Sequence, residues 1–187
     1  KVGVQSCKVY VKPEEGAAYY VINKLSKLYI LDSLTGLYNR MAYNELAEPL
    51  FEKCKAKQTP MTIMFIDADH LKYINDEFGH DMGNIEIKAI ADMIRESCPA
   101  DGVAMRYGGD EFVVIIPDCD EKKAGELYET MQNTLKRIAA GYSVAFPIEA
   151  SIGYAVVTDY EKPFNEYINE ADEKMYAHKK ARKAERQ

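Results

Sequence analysis

A pair of glycines between two apolar runs limits what this chain can fold into more than any other feature. Residues 103–107 (VAMRY) and 112–116 (FVVII) flank Gly108 and Gly109. Such a pattern indicates a β-hairpin, because the tight primed turns that join two strands need residues with positive φ. The sequence therefore predicts an antiparallel strand pair in the second half of the chain.

The rest of the chain alternates helical and strand-like patterns around that hairpin. Apolar residues spaced three and four apart predict helices over residues 40–57, 71–78, 82–98, 122–140 and 164–183. Continuous apolar runs predict strands at residues 62–66 and 150–157. From the first strand onward the order is β-α-α-β-β-α-β-α. This order favours an α+β fold, a mixed central sheet covered by helices, over a doubly wound parallel sheet.

The N-terminal part of the chain carries a helical stripe of its own over residues 17–31. Its apolar positions are Ala18, Val21, Leu25 and Leu28. The stripe suits packing on the following domain or on a second copy of itself, and spacing does not choose between them. We interpret residues 1–31 as an extension with a linker or signalling helix, and residues 32–187 as one domain. Because the chain begins with Lys1, we expect a longer protein with an upstream domain.

The charge of the chain restricts its partners. Its 187 residues include 30 acidic and 24 basic side chains, for a net charge of -6. This balance argues against a protein that mainly grips a nucleic-acid backbone, although it allows single nucleotides bound through a metal ion. No apolar run approaches the roughly 20 residues that span a bilayer, so we expect no membrane contact. Four scattered cysteines suit a reducing compartment, and we expect a cytoplasmic location.

Two acidic clusters adjoin the predicted strands. Asp67 and Asp69 follow the run at residues 62–66, and Asp110 and Glu111 follow the glycine pair. If these strands are neighbours, the carboxylates crowd one edge of the sheet and repel one another unless a cation lies among them. Ligands that are all oxygen favour a hard ion such as Mg²⁺ or Mn²⁺.

A calcium-binding loop is the alternative for the first of these clusters. An EF-hand loop that began at Asp67 would need glycine at its sixth position and glutamate at its twelfth. Those positions hold Lys72 and Phe78, so the EF-hand interpretation fails.

The residues around the glycine pair carry a family resemblance. Residues 106–112 (RYGGDEF) resemble the signature of the GGDEF family, the bacterial diguanylate cyclases. Residues 32–40, 67–83 and 150–154 agree with the family in order and spacing, and residues 171–179 agree more loosely. The resemblance implies a nucleotidyl-cyclase (palm-like) fold and a catalytic domain that condenses two GTP molecules into cyclic di-GMP. It also implies dependence on Mg²⁺ or Mn²⁺, a homodimer, and control by an upstream sensory domain.

The resemblance assigns the metal and catalytic residues. Asp67, the backbone carbonyl of Ala68, and Asp110 correspond to the metal ligands. Asp110 is also the candidate that assists deprotonation of the attacking 3′-hydroxyl, and Glu111 is its catalytic neighbour and a possible ligand of a second metal ion.

The resemblance also assigns a substrate-binding set of phosphate-contacting lysines, base-contacting polar residues and two glycines that admit the phosphates. Its members are Lys72, Asn75, His80, Asn84, Gly108, Gly109, Lys179 and Lys183. Lys183 stands where the family has Arg, and Arg182 stands where it has Gly. A basic helix end that complements the helix dipole is the other interpretation of these two residues.

Two departures from the family pattern leave other functions open. The R-x-x-D motif of the family's inhibitory product site is replaced by residues 99–102 (PADG), and the family's Gly-Asp is here Gly83-Asn84. The leading hypothesis is an active diguanylate cyclase. The alternatives are a domain that binds GTP or a cyclic dinucleotide without turnover, and a cyclase whose base specificity Asn84 has altered.

Overall fold

A computed structural model describes residues 29–184 of the chain, except for the side chain of Asn44. The predicted extension and nearly all of the helix predicted over residues 17–31 lie outside the described residues. The boundary at residue 32 therefore stays a prediction. The elements are β1 (Tyr38–Asn39), α1 (Arg40–Lys57), β2 (Met61–Ala68), α2 (Leu71–Phe78), α3 (His80–Ser97), β3 (Val103–Arg106), β4 (Glu111–Pro117), α4 (Glu121–Ala139), β5 (Ala150–Val157) and α5 (Phe164–Ala184).

The five strands form one mixed sheet in the order β1-β3-β4-β2-β5. Strand β1 runs parallel to β3, and the other neighbours are antiparallel. This arrangement confirms the predicted α+β fold. Two-residue β1 was not predicted, because so short a strand carries no alternation to detect.

Helices cover both faces of the sheet, and strand β2 supplies side chains to both cores. All eight residues of β2 are buried. Met64 and Ile66 belong to the core under α3 and α4, whereas Ile63 and Phe65 belong to the core under α1 and α5. Successive side chains of a strand point to opposite faces, so a strand buried on both faces reads as a continuous apolar run.

The predicted hairpin is present, but its predicted turn chemistry is wrong. Strands β3 and β4 pair antiparallel through a link over residues 107–110. The backbone N–H groups of Tyr107 and Gly108 both donate to the carbonyl of Glu111, at 2.8 and 3.1 Å. Neither Gly108 nor Gly109 has a positive φ. A four-residue link reverses the chain over several residues, and the left-handed backbone of a two-residue primed turn is not required.

Two element boundaries differ from the predicted ones in a way that affects the site. Strand β2 continues through Ala68, so Asp67 lies within the strand and not beyond its end. Helix α3 begins at His80, directly after Gly79, whose φ of 88° separates α2 from α3. Within residues 29–184, no helix is both long and apolar enough to span a bilayer.

Candidate active site

The candidate site lies at the end of the sheet where strand β2 ends and its neighbours β4 and β5 begin. We call this end of the three strands, with Asp67, Asp69, Asp110 and Glu111, the acidic edge. In the β2–β4 register Asp67 faces Glu111, and in the β2–β5 register it faces Ser151. The backbone N–H of Ala68 donates to the carbonyl of Asp110 at 3.0 Å. The strand pairing therefore brings together the two acidic clusters that the sequence keeps apart.

Two carboxyl groups at this edge, Asp67 and Glu111, lie in surroundings that disfavour their ionised forms. Burial raises the pKa of Asp67, the charges of Asp110 and Asp69 add to the rise, and the Lys179 ammonium opposes it. Burial likewise raises the pKa of Glu111, and the charges of Asp110 and Asp67 add to that rise. A bound cation would relieve this repulsion, so the edge suits a hard divalent ion.

The ligands predicted for that ion are two side chains and one backbone group: Asp67, Asp110 and the Ala68 carbonyl. Among residues 29–184, no three His, Cys, Asp or Glu side chains form a group that could hold a metal ion. The predicted ligand set contains only two carboxylate side chains and one backbone carbonyl, so it does not form a group of three such side chains. The residues present fit the ion through their oxygen chemistry and their crowded charge.

Helix α5 brings two cations to the same edge. The Lys179 ammonium contacts Asp67 Oδ1. Arg182 Nη1 donates to Asp69 Oδ2 and to the Ala150 carbonyl, each at 2.8 Å, and Nη2 lies 3.0 Å from Glu149 Oε1. The prediction for Lys179 named phosphate as its partner, but in this structure the partner is a carboxylate.

Arg182 contacts the acidic edge although it was not assigned to the substrate-binding set, and the assignment of its neighbour Lys183 stays a prediction. Lys183, which was assigned to the substrate, is exposed on α5, while Arg182 is only partly exposed and contacts the acidic edge. The signal available in the sequence was the replacement of the expected glycine by Arg182.

The polar residues assigned to the base meet at the junction of α2 and α3. A Cβ on Gly83 would lie 2.1 Å from Asn75 Oδ1, so the glycine is what lets α2 approach α3 so closely. Asn84 is the next residue along α3, and His80 begins that helix and is exposed. Lys72 is exposed on α2. The predicted base-contacting residues Asn75, His80 and Asn84 thus all lie at or near the junction of α2 and α3.

The glycine pair presents open backbone beside the carboxylates. A Cβ on Gly109 would have no atom within 4 Å, whereas one on Gly108 would lie 2.4 Å from Glu111 Oε2. Arg106 holds this backbone in place, because its Nη2 and Nε donate to the Gly109 carbonyl at 2.6 and 3.2 Å. A ligand can therefore approach the backbone at Gly109 without meeting a side chain at that position.

The segment that precedes α1 contacts the same arginine, Arg106, through Asp32. Asp32 lies 3.3 Å from Arg106 and accepts hydrogen bonds from the backbone and side chain of Thr35. Burial would raise the pKa of Asp32, but the Thr35 hydrogen bonds and the Arg106 charge outweigh it and lower the pKa. Asn39 caps α1 and donates to the Tyr29 carbonyl at 2.8 Å.

Glu86 on α3 is a second residue, after Arg182, that was not assigned from the sequence, and its carboxyl interacts with the charges of Asp67 and Asp69. It is 0% exposed, and neither carboxylate oxygen has a hydrogen-bond partner. Burial raises its pKa to about 8, and the charges of Asp69, Glu149 and Asp67 add to the rise. The Glu149 backbone, which approaches the carboxylate without forming a hydrogen bond of regular geometry, lowers the pKa. The sequence signal was a glutamate beside Ile87 on the inward face of the predicted helix.

Comparison with known proteins identifies the family of the chain. Residues 29–185 match the family model described as "Diguanylate cyclase, GGDEF domain". The chain belongs to the GGDEF family. Residues 1–30 match a separate model, described as a family of unknown function (DUF6465).

Two curated relatives and one solved structure illustrate the similarity of this GGDEF domain to known proteins. "Probable diguanylate cyclase DgcT" of Escherichia coli K12 is 32% identical over 149 residues, which cover 78% of this chain and 32% of DgcT. "Cyclic di-GMP phosphodiesterase NbdA" of Pseudomonas aeruginosa is 32% identical over 140 residues, 75% of this chain and 18% of NbdA. This GGDEF domain thus spans a third or less of the length of these two relatives.

The solved structure is the coiled coil and GGDEF domain of DgcB from Caulobacter crescentus, in complex with c-di-GMP. It matches with a TM-score of 0.75 and 23% identity over 90% of each chain. At this identity the likeness supports the fold, which is the mixed sheet described above.

Proposed function

We propose that this GGDEF domain is a diguanylate cyclase that joins two GTP molecules into cyclic di-GMP, with Mg²⁺ or Mn²⁺, across a homodimer. The observation that carries the proposal is the pairing of Asp67 with Glu111 on adjacent strands, with Asp110 beside them. Adjacent acidic strand ends with open glycine backbone suit a metal-assisted reaction of phosphate groups. The family and the cyclase DgcT support the same activity.

The metal would be held by Asp67, Asp110 and the Ala68 carbonyl, with Glu111 available to a second ion. When bound, a divalent ion offsets negative charge on the phosphate oxygens of the substrate. The ordered strand pairing holds these ligands in position before a substrate arrives.

The chemistry that we assign to the chain is a proton transfer and charge compensation. Asp110 accepts the proton of the attacking 3′-hydroxyl, a new bond forms from that oxygen to the α-phosphorus, and the bond to pyrophosphate breaks. Open backbone at Gly109 admits the phosphates, and Gly108, which has no Cβ, leaves room for the Glu111 carboxylate beside them. Lys72, Lys179 and Lys183 offset the charge of the triphosphate and of the leaving pyrophosphate.

We assign base recognition to the α2–α3 junction. Asn75 offers guanine both a donor and an acceptor, and Asn84 and His80 complete the polar surface around it. Because Asn84 replaces an aspartate of the family pattern, we assign the main selectivity for guanine to Asn75.

Each domain holds one GTP, so two domains must face each other across a two-fold axis for reaction. The homodimer is therefore part of the proposed mechanism. The proposal also includes an upstream sensory domain, since this GGDEF domain covers 32% of DgcT. We place the reaction in the cytoplasm, where GTP is available.

Asparagine variants of the two metal-ligand aspartates test this function. Incubation with GTP and Mg²⁺ should give cyclic di-GMP, identified by mass, with the parent protein. Asp67→Asn and Asp110→Asn should each lower turnover about 100-fold or more, because each removes a charge that holds the cation. Asp101→Asn, at an exposed turn remote from the edge, is the matched control and should retain activity. Near-parental rates in either site variant, with circular dichroism unchanged, would show that the site is assigned wrongly.

Asn84 favours two further candidate functions that the same incubation separates. A parent protein that binds a GTP analogue but makes no product would be a nucleotide-binding GGDEF domain without turnover. A parent that converts ATP as readily as GTP would be a cyclase with altered base specificity.

A further inference from the structure

Two cations of α5 contact two acids of the same strand end. Lys179 contacts Asp67, and Arg182 contacts Asp69, which lies two residues further along the chain. Residues three apart on a helix lie on one face, so one face of α5 presents both cations to the acidic edge. The GGDEF pattern has glycine at the position of Arg182, and a glycine has no side chain with which to make these contacts.

The two contacts differ in the number of interactions that hold each cation in place. Arg182 meets three acceptors, Asp69, Glu149 and the Ala150 carbonyl, and the Asp69 side chain is only 5% exposed. A planar guanidinium with several fixed donors loses little freedom per contact. Lys179 makes a single ion pair, through a flexible stem, with the carboxylate assigned to the metal. Arg182 is therefore the fixed contact, and Lys179 is the one that can be exchanged.

The acceptors of Arg182 connect α5 to both strands at the edge. Ala150 is the first residue of β5 and pairs with Ala68 of β2. Ser151 Oγ donates to Asp69 Oδ1 at 2.6 Å, which holds the acceptor of Arg182 in place. The position of Arg182 along α5 is thereby tied to the register of β2 and β5, and so is the position of Lys179 one turn earlier.

We infer that Arg182 is a positioning residue, which holds the end of α5 so that the Lys179 ammonium lies on Asp67 as an internal counter-ion. The inference rests on the proposed function, because it concerns a carboxylate assigned to the metal. Lys179 and a divalent ion then compete for the same carboxylate, and Lys179 is free for the phosphates only when it leaves Asp67. Arg182 keeps its own acceptors throughout.

Binding of Mn²⁺ alone, without nucleotide, tests this arrangement. Electron paramagnetic resonance of free Mn²⁺ gives the affinity, and Asp67→Asn identifies the ion bound at this edge because that ion is lost. Lys179→Met should tighten Mn²⁺ binding about tenfold, since it removes a competing cation from a partly buried carboxylate. In an Arg182→Met background the same Lys179→Met change should have an effect of about twofold or less, because Lys179 is no longer held on Asp67.

Comparing the Lys179→Met effect between backgrounds cancels any direct influence of the Arg182 charge on the ion. Ala181→Met, exposed in the same turn, is the control background and should leave the tenfold effect intact. Arg182→Lys, which keeps the charge without the planar fork, should give an intermediate effect.

Two results overturn the inference, and they differ from failure of the proposed function. An equal Lys179→Met effect in the parent and Arg182→Met backgrounds would mean that Arg182 does not position Lys179. No Lys179→Met effect in the parent would mean that Lys179 is not a counter-ion of Asp67. If no variant binds Mn²⁺ at the edge, the metal site of the proposed function itself fails, and the inference fails with it.

Discussion

At the scale of single residues, Glu86 has an environment unlike that of the other carboxyl groups near the site. It is fully buried without a hydrogen-bond partner, and negative charges surround it. An ionised carboxylate in such a place costs several kcal/mol, whereas the protonated acid costs far less. With a pKa of about 8, the folded protein holds Glu86 as a neutral acid at pH 7.

The protonated state of Glu86 makes stability depend on pH. Unfolded glutamate ionises near its ordinary value of 4.5, while the folded group keeps its proton up to about pH 8. The contribution to stability is therefore complete below pH 4.5, falls by roughly 1.4 kcal/mol per pH unit above it, and levels off beyond pH 8. Glu86→Gln should remove this slope, because the amide stays neutral in both states. Urea unfolding at pH 5, 7 and 9 measures the difference.

The Glu86 prediction has a matched control in Glu129→Gln, at an exposed position of α4. That variant should follow the parent at every pH. If Glu86→Gln also follows the parent from pH 5 to pH 9, then Glu86 ionises normally in the folded protein.

Asn84 is assigned to base recognition beside Asn75, and we expect it to weaken the preference for guanine over adenine. Guanine presents two adjacent N–H donors, and an asparagine amide has one accepting oxygen where a carboxylate has two. An unpaired buried donor costs about 1–3 kcal/mol, so Asn84→Asp should raise the preference for GTP over ATP by about fivefold to 150-fold. Competition between GTP and ATP in parent and variant measures the ratio. An unchanged ratio and unchanged GTP affinity would mean that Asn84 does not contact the base.

Which site residues the sequence could reveal depends on how local their signal is. Asp67 and Asp110 adjoin apolar runs, so their location near the strand ends follows from the pattern, although β2 continues one residue past Asp67. Arg182 and Glu86 act through tertiary contacts, with a strand edge and with buried acids, and no local pattern encodes those contacts. The family resemblance assigned Lys183, which is exposed, and it could not reveal that Arg182 in the same turn of α5 contacts the acids.

At the scale of elements, β5 and α5 approach each other closely at Gly153. A Cβ there would lie 2.1 Å from the Met175 backbone nitrogen and 2.2 Å from the Ala171 carbonyl oxygen. Backbone atoms cannot move aside as the end of a side chain can, so α5 would have to shift as a unit. Lys179, one turn beyond Met175, would shift with it.

Gly153→Ala should therefore destabilise the fold by about 3 kcal/mol and weaken binding of a GTP analogue. Gly125→Ala is the control, since its Cβ would make an ordinary contact, 3.7 Å from the Tyr154 hydroxyl. That variant should stabilise α4 by up to about 1 kcal/mol. Urea unfolding of both variants tests the pair, and equal stability of Gly153→Ala and the parent would refute the close approach.

The elements themselves were largely predictable, because long apolar patterns determine them. The five helices from residue 40 onward were expected from apolar spacing, and the four longer strands from continuous apolar runs. Strand β1 was missed, since its two residues pair with β3 only through tertiary contact. The hairpin was predicted because a glycine pair suits a left-handed turn, and that reason does not hold here. Gly109 leaves open space beside the backbone, and the absence of a Cβ on Gly108 makes room for the Glu111 side chain.

At the scale of the whole molecule, the proposed reaction needs two domains. If monomers predominate at low concentration, halving the protein concentration should lower the rate of product formation about fourfold, because two copies must meet. Initial rates over a dilution series, with sedimentation velocity at the same concentrations, measure this dependence.

Mixing adds a second test of the dimer. Excess Asp67→Asn protein should inhibit the parent, because mixed dimers contain one defective half-site, whereas excess Asp101→Asn protein should not. A rate that stays proportional to concentration where sedimentation shows monomer would contradict the two-domain mechanism.

Arg106 contacts both the first residues that the structure describes and the backbone of the glycine pair. One side of the guanidinium is held by Asp32, near the point where the chain enters the domain, and the other side holds the Gly109 carbonyl. Asn39 ties the carbonyl of Tyr29 to the start of α1. A displacement of the chain near Asp32 would either break the contact between Asp32 and Arg106 or, through Arg106, move the backbone at Gly109. The single side chain of Arg106 thus connects the chain near Asp32 to the backbone at Gly109, so that a movement of one is transmitted to the other.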